Sequence, residues 1–232
     1  FNPDRPLIKG SVNFRDLYVY LGVTAALIIL FGIGNHLLVT LVLVLDMLYG
    51  LLLIWIEKLS EKIKNGMFLN LLFTYPVNIA VSIYVFMVAR QDFGIRMDTL
   101  SILLIVAFEL AFLYYEVSRK TSWVQSIDNG KRLYSNEIGS IGSFAFSLAC
   151  ALIPVFILFG IFKPWHPSGV YAAWAFAILP VPVILGAHRF LKARNDPEKK
   201  EKANIMTPYA LKYLMIFYIL QILCAVFQGY AS

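Results

Sequence analysis

Uninterrupted apolar runs recur along the whole chain and limit what it can fold into. A helix needs about 20 mostly apolar residues to cross a hydrocarbon layer of about 30 Å. Backbone N–H and C=O groups find no water in that layer, so only helices and closed barrels can cross it. The runs are continuous rather than alternating, which favours helices over a barrel. They cover positions 17–34, 36–56, 67–89, 99–117, 138–162, 169–188 and 208–230.

Composition supports the prediction of an all-α, polytopic membrane protein, with about seven transmembrane helices in a single transmembrane domain over residues 1–232. Hydrophobic residues make up 59% of the chain and charged residues 15%, whereas a soluble domain carries about a quarter charged residues. Cys150 and Cys224 both lie in apolar runs, without the spacing of a metal site or a disulfide framework. They are therefore expected to be small packing residues.

The distribution of Lys and Arg predicts how the helices are oriented. The formal net charge is +6, and the basic residues concentrate in alternate loops. The opposite loops hold only Arg90, Arg96 and Lys163 of the 20 Lys and Arg residues. Because cytoplasmic loops carry an excess of Lys and Arg, the N-terminal segment and the charged loops are expected in the cytoplasm. Membrane topology thus explains the basic charge, and no nucleic acid partner is expected. The expected location is the plasma membrane of a prokaryote.

Two carboxylates lie within apolar runs, at membrane depth. Asp46 lies in the second run, one turn before Tyr49, and Glu109 lies in the middle of the fourth. Ionisable groups are costly in a bilayer, and they usually face a cavity or a partner. Asp46, Tyr49 and Glu109 are therefore predicted to line an internal cavity. A polar contact between helices is the alternative.

The loop after the fourth run carries the residues best suited to bind an anion. It contains Arg119, Lys120, Lys131 and Arg132, and an Arg side chain can hold a phosphate through two parallel N–H bonds. Glu116 ends the preceding run four residues before Lys120, which is the favourable order for an ion pair on a helix. Two simpler interpretations stay open: a structural Glu116–Lys120 pair, and charge that serves only to orient the helices.

Two segments carry recognisable motifs: DRPLIKGSVNFRDL at 4–17 and EVSRKTSWVQSIDNGKRLYSNEIGSIG at 116–142. Together they resemble two loops of the UbiA superfamily of intramembrane prenyltransferases, namely the loop before the third membrane helix and the loop after the sixth. The matching positions of the second segment are Glu116, Val117, Arg119, Lys120, Gly130, Tyr134, Ser135 and Gly139. The resemblance covers essentially the whole chain and maps the seven runs onto helices three to nine of a nine-helix bundle.

The resemblance implies that the chain is incomplete at its N-terminus, with two family helices and a first aspartate motif upstream of Phe1. It implies transfer of an isoprenoid chain from a prenyl diphosphate to a hydrophobic acceptor, aromatic or lipid, within the bilayer and with the help of Mg²⁺. By the same resemblance, Asp128 and Glu116 are expected to be catalytic, with Asp128 as a metal ligand. The acceptor is expected beside Asp46, Tyr49 and Glu109. The residues expected to bind the diphosphate are Arg5, Lys9, Arg119, Lys120, Lys131, Arg132 and Tyr134.

One departure from the family pattern bears on the chemistry. The acidic cluster expected in the second segment is reduced to Asp128, with Gln125, Ser126, Lys131 and Arg132 at neighbouring positions. Three explanations stay open: an upstream motif carries the metal, Lys131 and Arg132 hold the diphosphate directly, or catalysis has been lost. A non-catalytic membrane protein on the same scaffold, which binds or transports a prenyl lipid, is therefore the alternative function. An unrelated receptor-like protein of seven helices is a third.

Overall fold

Helices make up nearly all of the chain that the structure describes. The structure is a computed structural model, and it describes residues 10, 12–33, 37–94, 97–124, 133–167, 169–196, 200 and 204–231. These residues contain no β-strand. The helices are α1 (Phe14–Ile33), α2 (Leu37–Leu59), α3 (Glu61–Asn65), α4 (Met67–Phe93), α5 (Thr99–Ser118), α6 (Ser135–Phe162), a 3₁₀ helix (Tyr171–Ile178), α7 (Pro180–Ala193) and α8 (Thr207–Ala231).

Seven helical segments within the described residues are long and apolar enough to cross a membrane, as the sequence predicts. They coincide with the seven apolar runs to within a few residues at most ends. Large apolar side chains such as Phe31, Leu72 and Phe156 are mostly exposed on them. A soluble monomer rarely exposes so large an apolar surface. These helices therefore fit a multi-pass membrane protein.

The sixth segment is divided where the sequence predicts one continuous run. Pro180 and Pro182 lack the N–H groups that an unbroken α-helix over this segment would need. The chain instead forms the 3₁₀ helix first, and Leu179 N–H donates to the Phe176 carbonyl at 3.0 Å where that helix closes. A new α-helix then begins at Pro180. Proline is well tolerated there because the first helical residue has no intrahelical N–H bond to lose.

Contacts between residues divide the chain into two compact units, so the prediction of one domain over 1–232 stays a prediction. The first unit contains α1, α2, α3 and α4 from Leu69 onwards. Within it, α1 approaches α2 closely, since a Cβ added to Gly32 would lie 3.0 Å from Thr40 Oγ1. Two hydrogen bonds join α2 to α4: Tyr49 O–H donates to the Phe73 carbonyl at 2.8 Å, and Asn70 Nδ2 donates to Glu57 at 2.7 Å.

The second unit contains Gly66–Phe68 and the helices from α5 to α8. Here α5 packs along α6, and α8 packs against α5, α7 and the 3₁₀ helix. Small residues form the buried face of α6. Ser143, Ser147 and Ala151 recur every four residues along it and are completely buried. Small side chains let membrane helices approach closely enough for van der Waals packing. Larger side chains fill the centre of the unit: Tyr114, Leu158, Phe176, Phe190, Tyr213 and Phe217.

In both units a tyrosine hydroxyl supports a proline-containing helix. Pro76 lies inside α4 and Pro154 inside α6, and each removes one backbone hydrogen bond and loosens the turn before it. Tyr49 donates to the carbonyl of Phe73, three residues before Pro76. Tyr213 donates in the same way to the carbonyl of Ala151, three residues before Pro154, at 2.7 Å. A neighbouring helix thus supplies donors where the proline weakens the helix's own bonding.

We predict that Tyr213→Phe lowers the stability of the protein by about 1 kcal/mol, because it leaves a buried carbonyl without its side-chain donor. The loss corresponds to a melting temperature lower by about 2–4 °C for a chain of this size. Cys150 and Cys224 are buried and free, so a thiol-reactive fluorogenic dye reports unfolding directly. Tyr171→Phe is the matched control, since Tyr171 is 66% exposed. Equal melting temperatures for the two variants would contradict the role given to the Tyr213 hydroxyl.

Candidate functional site

The end of α5 holds two cationic side chains around one carboxylate. Arg119 binds Glu116 through two nitrogens, with Nε at 2.5 Å and Nη2 at 2.9 Å from the carboxylate oxygens. Lys120 Nζ lies 2.7 Å from Glu116 Oε1, which is the structural ion pair that the sequence leaves open as an alternative to an anion-binding role. Both carboxylate oxygens of Glu116 are therefore engaged by cations. The hydrogen bonds to Glu116 raise the pKa of Arg119, so the Arg119 guanidinium stays charged.

Tyr134 joins this cluster from the far end of the loop. Its N–H donates to the Lys120 carbonyl at 3.0 Å, and Lys120 Nζ lies 5.9 Å from the centre of its ring. The ring also packs edge-on against Phe68, with centroids 5.2 Å apart. Tyr134 is 1% exposed, and this burial raises the pKa of its hydroxyl. The hydroxyl is therefore neutral rather than an anion.

Buried hydroxyl groups hold the segment after α5 against α6. Thr121 Oγ1 donates to the Val117 carbonyl at 2.8 Å and lies 2.6 Å from Ser143 Oγ. Ser122 N–H donates to Ser135 Oγ at 3.2 Å. Thr121, Ser122, Ser135 and Ser143 are almost completely buried, and buried polar groups are costly unless they are paired. These bonds therefore hold in place the backbone segment next to Arg119 and Lys120.

Trp123 connects this segment to the end of α7. Its indole N–H donates to the Phe190 carbonyl at 2.6 Å, and its ring stacks on Phe190 with centroids 4.6 Å apart. The guanidinium of Arg194 lies over the indole ring of Trp123, 5.6 Å from its centre. The last carbonyls of a helix lack intrahelical donors, so Trp123 satisfies one of them in α7. The sequence does not point to Trp123, because no residue near it indicates that α7 lies beside it.

Glu137, in the first turn of α6, binds the start of α4. Its two carboxylate oxygens accept the N–H groups of Met67 and Phe68, the latter at 3.2 Å. The first N–H groups of a helix have no intrahelical acceptor, and a carboxylate suits them and the helix dipole. The sequence does not indicate this role either, since Glu137 and Met67 are 70 residues apart. A Glu in the first turn of a helix usually interacts with the N–H groups and dipole of that same helix, so its position in the sequence does not indicate a contact with another helix.

The predicted cavity residues are placed in different parts of the chain. Asp46 and Tyr49 line one cleft in the first unit. Glu109 is 9% exposed on α5, in the second unit, and it is not among the residues that line that cleft. The assignment of the three residues to an acceptor cavity stays a prediction.

The remaining predicted site residues lie outside the described part of the chain. They are Arg5, Lys9, Asp128, Lys131 and Arg132. No group of three His, Cys, Asp or Glu residues that could hold a metal ion occurs within the described ranges. Near the end of α5, the oxygens of Glu116 bind cations and those of Glu137 bind amides. The described carboxylates thus do not fit a Mg²⁺ site.

Comparisons of the chain with models of protein families, with curated proteins and with solved structures found no match. The described residues define an all-helical chain with seven segments suited to a membrane, and a cationic cluster at the end of α5. The resemblance to the UbiA superfamily stays a prediction that rests on the two motif segments.

Gly139 sets the direction in which α6 leaves the site. Its backbone has φ 73° and ψ 165°, and it separates the first turn of α6 from the rest of the helix. This conformation is essentially restricted to glycine. The first turn, which carries Ser135 and Glu137, is thereby oriented independently of the long apolar part of α6.

We predict that Gly139→Ala destabilises the protein by about 1–3 kcal/mol, because alanine disfavours this backbone conformation. No atom lies within 4 Å of a Cβ added at Gly139, so the cost is conformational rather than steric. Gly160→Ala is the control, since Gly160 lies in the regular part of α6 with the same open surroundings. Thermal unfolding followed by cysteine reactivity measures both. A Gly139→Ala variant as stable as Gly160→Ala would show that the kink is not needed.

Proposed function

We propose that the chain is a membrane-embedded prenyltransferase of the UbiA type, which binds a prenyl diphosphate at the end of α5 and transfers its prenyl chain to a hydrophobic acceptor. One observation carries the proposal. Arg119 and Lys120 both bind Glu116 at the end of α5, and Tyr134, from the far end of the following loop, contacts Lys120. This brings together cations and a neutral donor, the groups that a diphosphate requires.

Each residue of this cluster has a defined part in the proposed binding. A diphosphate carries more negative charge than a carboxylate, so it competes with Glu116 for Arg119 and Lys120. The guanidinium can then bind phosphate oxygens through two parallel N–H bonds. Glu116 keeps both cations in position while the site holds no substrate. The Tyr134 hydroxyl is neutral, so it adds a hydrogen bond without electrostatic repulsion.

In the proposed reaction the bond between the allylic carbon and the diphosphate oxygen breaks, and the diphosphate leaves as an anion. The acceptor then forms a bond to the allylic carbon and loses a proton. Arg119 and Lys120 lower the barrier by stabilising the charge that develops on the leaving group. The apolar helices around the site suit the prenyl chain, which has no polar groups to satisfy.

A non-catalytic prenyl-lipid binder is the second candidate, and a specific observation favours it. The described carboxylates of the cluster are occupied by cations and by amide groups rather than grouped for a metal ion. Such a site holds a diphosphate by charge alone. A binder of this kind releases its lipid unchanged.

Arg119→Ala is expected to lower prenyl transfer by about tenfold or more in the complete gene product, because a bidentate charged contact to the diphosphate is worth about 1.5–3 kcal/mol. Pyrophosphate release from a prenyl diphosphate in nanodiscs is the measurement, with and without Mg²⁺. Lys58→Ala is the control, since Lys58 is an exposed cation at the end of α2.

Three results separate the candidates. Turnover that falls in Arg119→Ala but not in Lys58→Ala supports the transferase. Saturable lipid binding without pyrophosphate release, weakened by Arg119→Ala, supports the binder. Turnover or binding that is equal in both variants would exclude this cluster as the diphosphate site.

The proposed orientation places the motif loops in the cytoplasm of a prokaryotic cell. Gln91, in the last turn of α4, and Asn195, just after α7, are exposed. The third and sixth spans cross the membrane in opposite directions in this orientation, so the two residues are expected on opposite sides, with Asn195 on the side that holds the excess of basic residues. A membrane-impermeant maleimide is therefore expected to label Gln91→Cys in intact cells, and Asn195→Cys only after the membrane is opened. The reverse pattern of labelling would overturn the orientation.

A further inference from the structure

A cleft opens between α2 and α4 in the first unit, near the middle of both helices. Its volume is about 260 Å³. On α2 the lining residues recur at helical spacing, so they share one face of that helix. The lining residues are Val42, Leu45, Asp46, Tyr49, Pro76 and Ala80.

The cleft is apolar except at one point. The Tyr49 hydroxyl is already engaged, since it donates to the Phe73 carbonyl. Asp46 Oδ1 is buried and has no hydrogen-bond partner among the described residues. A carboxyl group in the middle of a membrane helix is costly unless it meets a partner. An ionised carboxyl offers only acceptor atoms, so in that form Asp46 requires a hydrogen-bond donor.

We infer that this cleft binds an amphiphile that offers an amine or hydroxyl group to Asp46 and places an apolar body against Val42, Leu45 and Ala80. The two donor groups share the same chemistry toward the carboxyl, and both satisfy the atom that now lacks a partner. The volume lies just below the range of about 300–1,000 Å³ that is common for drug-sized ligands. The cleft thus suits one ring or the end of a larger molecule. This binding does not require prenyl transfer, and it is separate from the cluster at the end of α5.

The test uses a matched pair of fluorescent probes, naphthylmethylamine and naphthylmethanol, which differ only in the donor group. Binding to the complete gene product in nanodiscs is followed by fluorescence anisotropy, with empty nanodiscs subtracted. Saturable binding of at least one probe is expected. Asp46→Leu is expected to weaken it by about tenfold or more, and Val42→Trp to abolish it by filling the cleft. Leu48→Trp is the control, because Leu48 is exposed on α2 and does not line the cleft.

Asp46→Asn separates the two donor chemistries. The amide keeps an acceptor oxygen but loses the negative charge, so it retains the alcohol and loses the amine. Loss of amine binding in Asp46→Asn identifies an amine as the preferred donor, and retained alcohol binding identifies a hydroxyl. Either result supports the site. The inference is overturned if neither probe binds saturably to the wild-type protein, or if Val42→Trp binds the probes as well as Leu48→Trp does. The Val42→Trp result stands even if Asp46→Leu fails to fold, and melting curves identify such a failure.

Discussion

Within a membrane, backbone groups that lack a helical partner are costly, and this constraint bears on both units. Proline weakens the hydrogen bonding of α4 and α6, and a tyrosine hydroxyl from a neighbouring helix adds a bond to a carbonyl in the turn before each proline. In the sixth span the proline instead stands where one helix ends and another begins, at Pro180. Each proline is thus found either where a neighbouring helix supplies an extra donor or at the start of a helix.

The cluster at the end of α5 depends on the polar contacts beneath it. Arg119 and Lys120 are held by Glu116, but the backbone that carries them is fixed by buried hydroxyls between α5 and α6. Each hydrogen bond of this kind contributes little to the free energy of folding, but together these bonds fix the position of the backbone. They hold the backbone that carries two long, flexible cations in one place. Trp123 secures the following residues by binding the end of α7.

The sequence was a good guide to the helices because apolar length and proline position act locally. Seven spans could be predicted from the runs alone, and the Glu116–Lys120 pair from helical spacing. The contacts of Tyr213 and Glu137 could not be predicted, since each joins residues more than 60 apart and depends on which helices pack together. Asp46 and Glu109 illustrate the same limit. Both are recognisable as polar residues at depth, yet the sequence does not show that they belong to different units.

The bond between Glu137 and the start of α4 has a consequence for the order in which the protein is made. Met67 and Phe68 leave the ribosome 69 or more residues before Glu137 does. During that interval, the first amides of α4 have only water or lipid head groups as acceptors. The helix can insert early, but its end reaches its final environment only when the first turn of α6 has been synthesised and bent at Gly139. Completion of the early helix is therefore delayed until much later parts of the chain have been synthesised.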